Sequence, residues 1–156
     1  CFSKFVSDAA IALISIDATI EVMEYDGSYM TSLEEIYTGD GINPKKLKKT
    51  SIIKAIHIPI DEGFRSVFKK LRQRESMDFG SVTTAVSINK SGRTKIVLGC
   101  VDPKPIVVEG SINDDKNEMI KQAVKKSRIV DNDVFTRDYR KEMITVLLNR
   151  SFKELE

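Results

Sequence analysis

Few residues of this chain combine type and spacing in a way that could do chemistry. His57 is the only histidine, so it can neither build a metal site with others nor head a His-based acid–base pair. Alternating with Ile56 and Ile58, it reads as a structural or surface residue of a strand. Cys1 and Cys100 stand far apart without a CxxC or a histidine partner, so neither a metal site nor a disulfide framework is indicated, and a reducing cytoplasm fits best. Lys45, Lys46, Lys48 and Lys49 could attract phosphate or RNA. No aromatic residue interleaves them to form a stacking platform, so they read as a solvated loop. Lys69, Lys70, Arg72 and Arg74 form a second basic run inside a strand-like segment. Ser7-Asp8 immediately precedes an apolar run, and either residue suits a helix N-cap. No residue here is expected to be a catalytic acid, base, nucleophile or metal ligand.

The background is that of an ordinary globular protein. In 156 residues, 41% hydrophobic and 31% charged, there is enough apolar material for one core or two small ones. The 25 basic and 23 acidic residues leave a net charge of +2, too little for general attraction to nucleic acid or anionic lipid. No apolar run approaches the roughly 20 residues that cross a bilayer, and no secretory leader is visible, so a cytoplasmic protein without a membrane span is expected. A chain that opens on Cys1 and runs at once into an apolar segment is expected to be a fragment.

The elements that must position these residues follow from periodicity and turn chemistry. A buried helix is predicted after Ser7-Asp8, over AAIALI. Strands are predicted at residues 19–23 and 29–33 around Asp26-Gly27, and at 51–58, where Pro59 ends the pattern. Asp61-Glu62-Gly63 reads as a linker. A basic strand at 65–74 then precedes a β-hairpin, 82–88 (VTTAVSI) and 94–101 (TKIVLGCV), reversed at Asn89-Lys90-Ser91-Gly92. A short edge strand is expected at 106–109. Met119, Ile120, Ala123 and Val124 recur at helical spacing within 113–126, with Asn113 or Asp114 as cap. A last helix covers 136–155, with Tyr139, Met143, Val146, Leu147 and Arg150 on or beside one stripe; Phe135, Tyr139 and Phe152 are spaced as its core aromatics. Both halves are α+β.

The order of these parts resembles the C-terminal portion of the FAD-binding medium subunit of the molybdenum hydroxylases, the family of xanthine dehydrogenase, aldehyde oxidase and carbon monoxide dehydrogenase. The resemblance is carried by CFSKFVSDAAIALISIDA at the start, by Tyr37-Thr38-Gly39-Asp40-Gly41, and by IIKAIHIP at 52–59. It continues through Phe68-Lys69-Lys70-Leu71-Arg72-Gln73-Arg74, the hairpin, Gly99-Cys100-Val101-Asp102-Pro103-Lys104-Pro105, and Tyr139-Arg140-Lys141 with Val146-Leu147-Leu148. It departs from the family at Lys4-Phe5, where Ser-Pro is usual. It implies the end of an FAD-binding domain of the PCMH type over 1–62. A C-terminal domain like that of the carbon monoxide dehydrogenase flavoprotein would follow over 63–156, with a three-stranded antiparallel sheet packed on helices.

The same resemblance implies three cofactor-binding residues. Asp8 matches an acidic residue that hydrogen-bonds the flavin cofactor, Ile53 an aliphatic residue against the isoalloxazine ring, and Lys69 a basic residue near the flavin or its phosphate. Read as residues alone, these are a helix cap, a core isoleucine and a solvated lysine. The implied function is that of an oxidoreductase subunit that binds FAD and takes electrons from iron-sulfur clusters in a small subunit, fed by a molybdenum-pterin centre in a large one. NAD or another acceptor would receive them. The glycine-rich loops for the FAD pyrophosphate would lie upstream of residue 1, leaving half the flavin site here. The alternative is a non-catalytic α+β interaction or assembly module that binds no flavin.

Overall fold

The computed structural model describes residues 3–132 and 134–156; Cys1 lies outside them. The first helix, α1 (Asp8–Ser15), begins where the Ser7 hydroxyl accepts the Ala10 N–H at 3.2 Å. Ser7 is therefore the cap, and Asp8 is the first helical residue, with its charge at the positive end of the helix dipole. Strands β1 (Thr19–Glu24) and β2 (Gly27–Ser32) form a hairpin through Tyr25-Asp26. A 3-10 turn at Glu34–Ile36 and the lysine loop lead to β3 (Ile52–His57), which pairs with the free side of β1. This smaller sheet runs β2-β1-β3, all antiparallel, with a register shift opposite Lys54.

The larger sheet is a meander of β4 (Arg65–Leu71), β5 (Val82–Ile88), β6 (Arg93–Gly99) and β7 (Ile106–Ser111). The three strands expected here are joined by the edge segment as a fourth, because 106–111 pairs with β6 along its length. The hairpin reversal is held as its residue types imply. Asn89 Oδ1 accepts the N–H groups of Ser91 and Arg93 at 3.1 and 2.9 Å, and Gly92 sits at φ +84°. Helices α2 (Lys116–Lys126) and α3 (Arg137–Leu155) follow. Asp115 caps α2 by accepting the Asn117 N–H at 2.9 Å, instead of Asn113 or Asp114. Asp114 turns back to accept the Ser111 N–H at 2.8 Å.

Every residue of β5 is buried, and all of β6 except Arg93, because helices cover both faces of the sheet. Val82, Val86, Ile88, Ile96 and Leu98 pack with α2 and α3 through Ile120, Ile144, Leu148 and Phe152. Ala85 and Val97, on the opposite face, pack with Ile11 and Ile14 of α1 and with Ile20 and Val22 of the smaller sheet. Gly99 lets α1 sit that close: a Cβ there would lie 2.4 Å from Thr83 Oγ1 and 2.8 Å from Ile11 Cγ1. Lys95 is buried on the same face and keeps its charge by pairing with Asp17 and, at 2.8 Å, Glu109.

The stripe on α3 differs from the expected one. Its buried residues are Arg140, Ile144, Leu147, Leu148, Ser151, Phe152 and Leu155, whereas Tyr139 and Arg150 are exposed and Phe135 is half-buried. The sheet meets the helix about one residue further along than the aromatic spacing suggested, and Tyr139 stacks on Phe135 outside the core, with centroids 5.1 Å apart.

Candidate cofactor cleft

The N-terminus of α1 and the connection after β4 face each other across a cleft of about 480 Å³. One wall is Val6, Ser7, Asp8 and Ala9; the other is Lys70 and Arg74 with Met77, Asp78, Phe79 and Gly80. The Lys70 ammonium bridges the walls by donating to Asp8 Oδ2 at 2.6 Å. The loop beyond β4 is shaped by Asp78. Its carboxylate accepts the Arg74 guanidinium at 3.1 Å and the N–H groups of Phe79 and Arg74 at 2.9 and 3.3 Å, and these bonds hold it below the usual carboxylate range, the Arg74 side chain contributing most. Fixing the loop this way leaves Met77 and Phe79 almost fully exposed at the rim, 94% and 82%.

A smaller cleft of about 240 Å³ shares Val6, Asp78, Phe79 and Gly80, and adds Lys4, Gln73, Ser81, Cys100 and Asn132. Cys100 is buried, and burial pushes its thiol above the usual range, so it is a packing residue and not a ready nucleophile. No group of three or more His, Cys, Asp or Glu suited to a metal ion occurs among the described residues. None of the helices described is long and apolar enough to cross a membrane.

The three residues singled out in the sequence lie in three different surroundings. Asp8 is in the cleft wall. Ile53 is on β3, the edge strand of the smaller sheet, 43% exposed and opposite Val22. Lys69 pairs with Glu154 of α3, on the face of the larger sheet away from α1. Successive strand residues point to opposite faces, so β4 sends Lys69 toward α3 and Lys70 toward α1. The structure brings Asp8 together with Lys70 and Arg74, and not with Lys69 or Ile53. Alternation along 65–71 was the signal that separates the two lysines, but it acquires a direction only once α1 is known to cover one face.

An amphipathic cleft with a bridging ammonium and carboxylate suits a ligand that is flat and apolar in one part and rich in hydroxyl or anionic oxygen in another. No protein-family model matches the chain. It is 29% identical over 115 residues to the aldehyde oxidoreductase FAD-binding subunit of Escherichia coli, covering 71% of this chain and 36% of that one. It is 25% identical over 162 residues to the glyceraldehyde dehydrogenase medium chain of Sulfolobus acidocaldarius, covering 96% of this chain and 57% of that one. The chain thus spans between about a third and somewhat over half of these relatives. Among solved structures, a chain of the Cu,Mo-CO dehydrogenase superposes with a TM-score of 0.79 at 19% identity, over 94% of this chain and 55% of that one. A chain of quinoline 2-oxidoreductase from Pseudomonas putida 86 gives 0.75 at 15%, over 95% and 55%. The chain is thus similar in sequence to an FAD-binding subunit of an aldehyde oxidoreductase and to a glyceraldehyde dehydrogenase medium chain, and it shares its fold with chains of CO dehydrogenase and quinoline 2-oxidoreductase over about 55% of their length, an extent that fits a C-terminal portion of such a subunit.

Proposed function

We propose that this chain forms one side of the FAD site in an oxidoreductase of the molybdenum hydroxylase type. In that complex it would work with an iron-sulfur subunit and a molybdenum-pterin subunit, and would pass electrons to NAD or another acceptor. The observation that carries the proposal is the Lys70–Asp8 pair across an amphipathic cleft, in a fold shared with such medium subunits. The residues present fit the cofactor. Val6, Met77 and Phe79 offer apolar surface to a ring system, and Asp8 can accept from hydroxyl donors with the oxygen that does not hold Lys70. Bound there, FAD would supply the two-electron chemistry.

The protein's own part is binding and electrostatics. Lys70 and Arg74 are balanced by Asp8 and Asp78 in the same cleft, and each would offer N–H donors to a ligand that gains negative charge and so favour its reduced form. Ile53 offers an aliphatic contact on an exposed edge, to be covered by the cofactor or by polypeptide that carries the rest of the site. The cation's role, which the sequence resemblance gave to Lys69, falls to Lys70 on proximity to Asp8; the two are separable by substitution.

The test is the flavin absorbance of the intact protein, purified with its accompanying subunits, as wild type, Lys70→Glu and Lys69→Glu. The expected outcome is a yellow wild type, loss of flavin or a lowered flavin potential in Lys70→Glu, and nearly normal flavin in Lys69→Glu. A colourless wild type would overturn the proposal in favour of an interaction module. Loss confined to Lys69→Glu would return the role to Lys69.

A further inference from the structure

Arg140 heads the large side chains that are completely shut off from solvent. It has no ion-pair partner among the described residues. Its guanidinium is instead satisfied by main-chain carbonyls from three separate segments. Nε and Nη2 donate to Ser81 O at 3.2 and 2.7 Å, Nη2 also to Cys100 O at 2.5 Å, and Nη1 to Val130 O. A buried, unpaired cation is costly, and burial depresses this one's pKa. Helix packing alone does not call for it, because an apolar residue would fill the same stripe on α3.

Two of the three carbonyls, Ser81 O and Cys100 O, lead to the walls of the cleft. Ser81 directly follows Gly80, the end of the wall that carries Arg74, Met77, Asp78 and Phe79, and its hydroxyl accepts from Asn132 Nδ2 at 3.1 Å. Cys100, at φ +66°, donates its N–H to Phe5 O at 2.9 Å, while Phe5 donates to Asp102 O at 2.8 Å. Phe5 in turn leads straight into Val6, Ser7 and Asp8, the opposite wall. One planar fork therefore holds Ser81, at the end of the loop wall, and reaches the segment that enters the α1 wall through Cys100 and its hydrogen bond to Phe5.

We propose that Arg140 is a positioning residue that sets the spacing between the two walls of the cleft, and with it the affinity for FAD; this rests on the flavoprotein reading above. The geometry requires arginine. Five donors in a fixed plane reach three carbonyls at once, whereas a lysine ammonium presents three donors from one point and methionine presents none. Charge alone does not substitute for the fork.

The experiment uses the intact protein with its partner subunits, as wild type, Arg140→Lys, Arg140→Met and Ile144→Val. Ile144 is buried on the same helix without touching either wall, so its variant controls for general loss of stability. Two quantities are read: the FAD dissociation constant of the flavin-stripped complex, and the rate of tryptic cleavage after Arg72 and Arg74. Both Arg140 variants are expected to weaken FAD by about tenfold or more, the scale on which loss of an outer supporting shell is felt, and to speed cleavage in the loop. Ile144→Val leaves both near wild type, and Arg140→Lys does not rescue. Folded Arg140 variants that match Ile144→Val in both readouts would overturn the proposal. If neither Arg140 variant folds, Asn132→Ala, which removes the second tether on Ser81, must show the same changes in smaller degree; unchanged values would overturn it. A wild type that takes up no FAD removes the flavin reading by itself, while the cleavage rates still decide whether Arg140 fixes the loop.

Discussion

The two sheets of this protein are built from similar residues and end in opposite conditions. In the larger sheet, β5 and β6 are closed over by α1 on one face and by α2 and α3 on the other, so their side chains sit in a dry, fully packed interior. In the smaller sheet only the middle strand is sealed. Ile20 and Val22 of β1 are buried, while Ile52, Ile53 and Ile56 of β3 are 58%, 43% and 51% exposed, with Ile58 and Ile60 beyond them. An apolar edge strand with an open hydrogen-bonding side is a surface that native proteins normally cover. The difference is one of burial: the larger sheet is sealed between helices and holds the cleft walls in place, and the smaller one leaves the apolar side chains of β3 open to solvent.

The comparison breaks most sharply if equal truncations cost the same in both sheets. Ile96→Ala, in the sealed β6, is expected to lose about 2–5 kcal/mol in chemical denaturation, and Ile56→Ala, on the open β3, less than about 0.5 kcal/mol. A large loss at Ile56 would mean that β3 is buried in the protein as it occurs in solution. Next in size is Gly99→Ala. Its Cβ would meet Thr83 Oγ1 and Ile11 at well under contact distance, so α1 must move, at a cost of about 1–3 kcal/mol in thermal unfolding. Because α1 forms a cleft wall, the same variant should bind FAD more weakly. Smallest is a pH effect confined to the loop wall. The Asp78 carboxyl is held low in the folded protein, so its support is present at neutral pH and disappears as pH falls from the ordinary carboxylate range through its own lowered value. Amide hydrogen exchange at Phe79 should therefore rise, after correction for intrinsic rates, as the pH is lowered through that window, and Asp78→Asn should show the faster exchange at neutral pH.

Local chemistry was legible where a residue's role depends on its immediate neighbours. Ser7 before an apolar run, Asp26-Gly27 between two alternating segments, and Asn89 to Gly92 between two β-branched runs all specify backbone geometry within a few residues, and the structure has them as caps and turns. The site was only partly legible. Asp8 lies in the cleft, yet its partner Lys70 stands next to Lys69, the residue the family resemblance implied, and one position along a strand reverses the face. An arginine inside a helical pattern, such as Arg140, reads as a solvent-facing residue. Only the convergence of three loops on one point makes it an interior residue.

The sequence by itself determined the order of the main elements, the hairpin, the start of the first helix at Ser7-Asp8, the presence of a single histidine, and the family resemblance, because propensity, turn chemistry and motif order are read along the chain. The tertiary structure decided which lysine meets Asp8, which stripe of α3 is buried, and what Arg140 holds. Those outcomes depend on which face of the larger sheet α1 covers and on where residues distant in the chain come together, and neither is encoded in the spacing of any one segment.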